Sequence, residues 1–377
     1  MPHLRGMTWN HTRGVDSIEA ATAAFVKDRD DLTVEWDARS LQEFEDTPIT
    51  ELAARYDLVA IDHPHVGLAA AAGALLDLHT LLPAEVIDEQ RTYSVGPSLR
   101  SYELAGALWA LPMDAAAQVG AYRSDLLPGE PPRDLDAAIS LMGEVSAQVP
   151  ANPTHLWATF LSLCQHVADD VAPGASGRPA WWPDGGIDPG VVTDALALLR
   201  ALLAVADPVS LTRDPIQTFE AMADGEPIAY VPFIFGYSNY ARAGYRPHLI
   251  RFTDSPVRHG TMLGGVGLAI SARCAHPAAA AELAGWVVSR QCQTGVFTTS
   301  GGQPGHRAAW TDDQLNRLTH GFFADTLTTL DRAFVRGRTP GYPLFQQRAG
   351  EALHRLVTSG AGDKEVLSAI GELWSAS

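Results

Sequence analysis

Cysteine is scarce in this sequence: Cys164, Cys274 and Cys292 are the three present, and none forms a Cys-x-x-Cys pair. An odd count without close pairing argues against a disulfide framework and against a zinc–thiolate site. Basic charge is short too. The 27 Lys and Arg face 44 Asp and Glu, leaving −17, and such a surface repels phosphate backbones and anionic lipid. Nucleic-acid and membrane-surface partners are therefore not expected. No uninterrupted apolar stretch reaches transmembrane length, because Gly, Asp or Pro breaks each Ala-rich run. Motifs of a hydrolase elbow, a P-loop or a metallopeptidase are missing. Gly264-Gly265-x-Gly267 lacks the glycine spacing of a dinucleotide fingerprint and reads as close backbone approach at a hinge, with amide N–H groups to offer a ligand.

What is present is the composition of a globular protein, 46% hydrophobic and 19% charged, so long disordered stretches are not expected. At 377 residues the chain exceeds one ordinary core and suits two lobes. The 25 prolines and 33 glycines are spread along it and punctuate many short elements, the habit of an α/β fold. Met1 to Trp9 shows no apolar h-region and no cleavage motif. The chain as written is expected in the cytoplasm; with a leader removed, the expectation becomes periplasmic or extracellular.

The first hundred residues alternate strand and helix. Leu4 to Trp9 reads as a strand ending in the polar loop Asn10 to Gly14, and Val15, Ile18, Thr22 and Phe25 fall at helical spacing. Leu32, Val34 and Trp36 alternate as a strand, a helix follows over Pro48 to Arg55, and Leu58 to Ile61 has the pattern of a buried strand. This order predicts a mainly parallel sheet, whose ligands bind at the carboxyl ends of the strands, after Trp9 and after Ile61. Two short strands are expected around Ala105-Gly106, then a crossing at Asp114 to Tyr122. A second, more helical unit carries a strand over Pro227 to Val231, an aromatic loop over Phe233 to Tyr240 and a strand over His248 to Phe252. The Gly-rich strand Leu263 to Ile270 returns to the first unit. Lobes of 1–112 plus 264–310 and 113–263 plus 311–377 follow.

The order of several motifs resembles family 1 extracellular solute-binding proteins, the carbohydrate-type receptors of ABC importers. Gly106 to Pro112 is similar to the family's Gly-x-x-Tyr-Ala-Leu-Pro, and Tyr122 to Leu127 to its Tyr-Asn-Lys-Asp-Leu-Leu. Leu263 to Ser271 is similar to Gly-Gly-x-x-Leu-Ala-Ile-Ser, and Gly302 to Arg307 to Gly-x-Pro-x-Arg. The likeness covers nearly the whole chain, without the leader and lipid-attachment cysteine. It implies a type II periplasmic-binding-protein-like fold: two α/β lobes, a hinge and a cleft closing on a small polar molecule, sugar-like or a hydroxy acid. A monomer without cofactor is implied, served by an ABC permease if exported. Because some enzymes share this scaffold, the alternative is a cytoplasmic enzyme with Asp114 or the Asp62, His63, His65 cluster as acid and base.

The resemblance puts Asp62-His63-Pro64-His65 in the cleft wall, where both imidazoles face the ligand if the loop is extended. The plainer reading is that Pro64 fixes a turn and one His serves the backbone. No third ligand joins the pair, so no metal is expected. Phe235, Tyr237 and Tyr240 resemble the aromatic stretch that stacks on sugars, against ordinary core packing as the plain reading. Trp9 and His11 close the first strand, and Gly264 and Gly265 offer amides. Three roles stay open for Asp114: orienting hydroxyls, general base, or capping a helix.

Overall fold

The computed structural model describes residues 1–40, 48–127, 129–172 and 178–377. The strands β1 (His3–Trp9), β2 (Thr33–Arg39) and β3 (Leu58–Ile61) lead into a hairpin of β4 (Glu103–Leu104) and β5 (Ala107–Leu108), then β6 (Leu111–Pro112). After them come β7 (Ala116–Tyr122), β8 (Tyr230–Phe235), β9 (Arg251–Thr253), β10 (Leu263–Gly264) and β11 (Gly267–Ile270). The first sheet has the order β2-β1-β3-β11-β6. Its first three strands are parallel, while β11 runs antiparallel to both β3 and β6, so the sheet is mixed. The second sheet joins β10, β7 and β8, with β9 also on β7, and every pair in it is antiparallel.

Apolar spacing explains these layers. Leu4, Met7, Ile18, Leu58 and Val59 are fully buried in one core that also takes Leu268 and Ala269. A second core gathers Trp157, Phe160, Leu196 and Phe345, and a third lies around Phe219, Phe252 and Phe322. Each large side chain so buried contributes about 1.5–3 kcal/mol.

Two expectations shift. The Gly-rich segment is not one strand: Leu263 and Gly264 pair with β7, while Gly267 onward pairs with β3. Gly265 turns the chain between the sheets at φ +104, where an added Cβ would lie 2.5 Å from the Asp114 carbonyl. The expected strand over Pro227 to Val231 lies three residues later, as β8. Pro232 inside it has no N–H to donate, and the β7–β8 register breaks opposite it, between Val119 and Ala121. Phe233 and Phe235 are thereby strand residues, and the loop begins at Gly236.

Candidate functional site

A cavity of about 370 Å3 is lined by side chains reached from both sheets. From the first come Trp9 and Arg13, at and after the end of β1, and Asp62, Pro64, His65 and Leu68, after β3. From the second come Ala116, Phe235, Tyr237, Gly264 and Gly265. The helix Pro153–Val167 adds Thr154, His155, Trp157 and Ala158; the Asn152 side chain caps its start and Pro153 holds the first position. A strap at Arg336 and the helix Tyr342–Thr358 close the remaining side with Pro340, Pro343, Leu344, Gln346 and Gln347.

Two buried arginines organise the walls. Arg13 donates from Nε to Asp114 Oδ2 at 2.7 Å and from Nη2 to Oδ1 at 2.5 Å, and its Nη1 reaches the Gly236 carbonyl at 2.9 Å. The guanidinium also lies over the Tyr237 ring, 4.5 Å from its centroid. Burial pushes the Asp114 carboxyl up from its usual range, and Arg13 pulls against that shift. Arg336 donates from Nη2 to Asp62 Oδ2 at 2.5 Å, from Nη1 to Gln346 Oε1 at 3.0 Å, and from its backbone N–H to His63 Nε2 at 3.3 Å. Burial raises the Asp62 carboxyl, but Arg336 and His63 outweigh it and hold the group well below the usual carboxylate range.

The cluster after β3 is a tight turn rather than an extended loop. Asp62 caps the 3-10 turn His63–His65 by accepting the His63 N–H at 2.8 Å, with Pro64 fixed inside it. In such a turn, residues two apart diverge. His65 lines the cavity while His63 is wholly buried against the strap. The expectation that both imidazoles face the ligand is corrected on that ground. Asp114 is not a wall residue either; it stands behind Arg13 with both oxygens engaged. Tyr240 is turned away from the cavity, stacked on Phe219 at 4.8 Å with its hydroxyl donating to Glu220. His11 supports Tyr237 edge-on at 4.9 Å and accepts the Arg13 N–H through Nδ1. Trp9, Asp62, His65, Phe235, Tyr237, Gly264 and Gly265 do meet at the cavity.

Sequence reasoning missed Arg13, Arg336, His155 and Trp157. Arg13 lay within the loop after β1 that the strand-end rule singled out; the other three carried no local signal. Among the described residues no group of three His, Cys, Asp or Glu is placed to hold a metal ion.

Burial and Arg336 push His63 down to about 4 against the pull of Asp62, burial and Arg336 push His155 to about 3, and burial with Arg13 pushes His11 to about 4. The imidazoles are neutral at pH 7. A histidine whose folded pKa is depressed stabilises the fold above its unfolded value near 6.5, and that stability is lost as pH falls toward the folded pKa. Each such group is expected to cost about 1 kcal/mol by pH 5.5. Urea unfolding at pH 7.5 and 5.5 should show the loss, and His63→Gln should reduce it.

Residues 8–294 match the family of bacterial extracellular solute-binding proteins, and the chain belongs to that family. Among solved structures it is similar to the maltose-bound MalE3 of T. maritima, at 17% identity and a TM-score of 0.82, covering 100% of this chain and 99% of that one. A solute-binding protein of Agrobacterium radiobacter K84 in complex with ribitol shares 21% identity at TM-score 0.77, covering 99% and 97%. One from Agrobacterium vitis S4 with bound D-mannitol shares 14% at TM-score 0.72, covering 100% and 98%. No protein of curated function matches the chain. The fold is therefore of the type II periplasmic-binding class and the role is solute binding. Among the described residues no helix is long and apolar enough to cross a membrane.

Proposed function

We propose that this protein is an importer's receptor that closes two lobes, one on each sheet, over a single uncharged sugar or polyol. The observation that carries the reading is the cavity, with its paired charges and its aromatic walls at Trp9, Trp157, Phe235 and Tyr237. Each lining carboxylate or arginine already holds an opposite charge, which favours a ligand without net charge. Flat rings bury the CH face of a sugar, and the remaining guanidinium N–H groups suit its hydroxyls. Relatives of the same fold that hold maltose, ribitol and D-mannitol support that ligand class. Crossings at Pro112–Asp114 and at Gly265 serve as the hinge, giving one lobe of residues 1–112 with the return strand β11 and its following helices. Delivery to an ABC permease outside the cytoplasm completes the role. The enzyme alternative, with Asp114 or the Asp62, His63, His65 cluster as acid and base, is the weaker one, because Arg13 engages Asp114, Arg336 engages Asp62 and the strap engages His63, which leaves His65 as its cavity-lining candidate.

A thermal-shift and calorimetric panel of maltose, ribitol, D-mannitol and tagatose tests this. A ligand at a hundred times its Kd adds about 2.7 kcal/mol of stability. Tyr237→Ala should weaken whichever ligand binds by about tenfold, removing roughly 0.5–1.5 kcal/mol of stacking in addition to lost area. Absence of binding by any neutral sugar or polyol, or unchanged affinity in Tyr237→Ala, overturns the reading.

A further inference from the structure

A free sugar presents hydroxyls on every edge, and each buried one needs a partner. The charged and amide acceptors nearest the two arginines are already engaged. Asp62 already accepts the His63 N–H on one oxygen and Arg336 on the other. Asp114 is closed off by Arg13, and the Gln346 carbonyl accepts from Arg336. The charged groups of the wall are thus Arg13, Arg336 and Asp62, each paired, with Thr154, His65, His155 and Gln347 as neutral polar groups beside them.

The side toward solvent is different in kind. Leu68, after β3, and Pro340, Pro343 and Leu344, at the start of the helix Tyr342–Thr358, line the same cavity there, and the buried Pro64 lines it as well. That helix packs against the turn that carries Pro64. Leu344 is 50% exposed although it is a cavity residue, which puts a large apolar side chain at the rim. Proline rings lose almost no side-chain entropy when covered, so Pro340 and Pro343, both partly or fully exposed, make a preformed apolar surface beside Leu344. An exposed apolar patch joined to a ligand cavity is where a ligand's own apolar part gains most by burial.

We propose that the ligand is amphiphilic: a neutral sugar or polyol head at the arginine–carboxylate pairs, joined to an alkyl or aryl aglycone lying on Pro64, Leu68, Pro340, Pro343 and Leu344. This rests on the sugar-type reading above and narrows it to glycosides. Covering a phenyl or butyl group on this surface is expected to tighten binding by roughly ten- to hundredfold over the free sugar.

The test is calorimetry on the full chain with glucose, galactose, mannose and xylose, each as the free sugar and as its phenyl glycoside. The expected result is a glycoside at least tenfold tighter than its parent, with the ratio shrinking in Leu344→Asp, a change at an exposed position that the fold tolerates. Equal or weaker binding of the glycoside overturns this inference and leaves the sugar-receptor reading standing. A glycoside advantage that survives Leu344→Asp overturns the placement of the aglycone. If neither member of any pair binds at millimolar concentration while a member of the maltose, ribitol, D-mannitol and tagatose panel does, this inference falls and the receptor reading stands; if nothing in either panel binds, both fall.

Discussion

Arg13→Ala is expected to cost about 3–5 kcal/mol of folding stability at neutral pH, the usual result of stranding one partner of a buried ion pair. The Asp114 side chain has no solvent exposure and that of Arg13 has 4%, so the carboxylate depends on the guanidinium for its charge compensation. Both carboxylate oxygens lose their guanidinium donors at once, and the Val266 backbone is left as the remaining hydrogen-bond partner. The pH dependence separates this cause from simple loss of packing. Burial already raises the Asp114 carboxyl, with Arg13 pulling it down. Without Arg13 it rises further. A carboxyl whose folded pKa lies above its unfolded value near 3.9 penalises the fold fully above the folded pKa, and the penalty fades as pH falls toward the unfolded one. The gap between variant and parent should therefore narrow in acid. Urea unfolding at pH 7.5, 6 and 4.5 reads it directly. A gap that stays constant would mean that Asp114 is not left charged and alone. Arg13→Met combined with Asp114→Leu should recover most of the loss, since a well-packed apolar pair often replaces a buried ion pair without cost.

The same pair shows where sequence reading stops. β1 and β3 were legible because apolar residues run or alternate at strand spacing and bury as the pattern demands. The loops after them were legible because ligands gather at the carboxyl ends of parallel strands. Arg13 was inside one of those loops, yet nothing local distinguishes a buried arginine from a solvated one. Its partner is 101 residues away, and that of Arg336 is 274 away. Such pairs exist only once the topology has brought the sheets together. The expectation that His63 joins His65 on the cavity wall failed for a local reason: two residues apart means one face in a strand but diverging directions in a 3-10 turn, and Pro64 fixes the turn. β8 was misplaced because the apolar run from Pro227 to Phe235 does not alternate, so its register is set by long-range pairing, with β7 and at Tyr230 with Ala147, and not by a local pattern.

Gly67→Ala should cost the protein its ligand. Gly67 lies in the helix Val66–Ala71, directly after the Asp62–His65 turn, and its Cα faces the strap that carries Arg336. A Cβ there would stand 1.7 Å from the Arg338 carbonyl oxygen, half of an ordinary contact. The strap cannot simply give way at that point. The Arg338 side chain donates to the carbonyls of Arg100, Ser101 and Glu103, at 2.8, 3.2 and 2.6 Å. Either that anchor breaks or the helix moves, and both displace Arg336 relative to Asp62 and His63. Overpacking of this kind costs about 1–3 kcal/mol of stability. The larger effect is on function, because Asp62 would lose the arginine that compensates its charge in the cavity wall. Affinity for any ligand found in the sugar panel is expected to fall at least tenfold, which corresponds to about 1.4 kcal/mol. Gly371→Ala supplies the contrast. It lies in the helix Asp363–Ser375 with nothing within 4 Å of its added Cβ, so it should stabilise by up to about 1 kcal/mol and leave binding alone. Should Gly67→Ala bind ligand as the parent does, the strap is not what holds Arg336 against Asp62, and the wall must owe its geometry to the helix Tyr342–Thr358 through Gln346 instead.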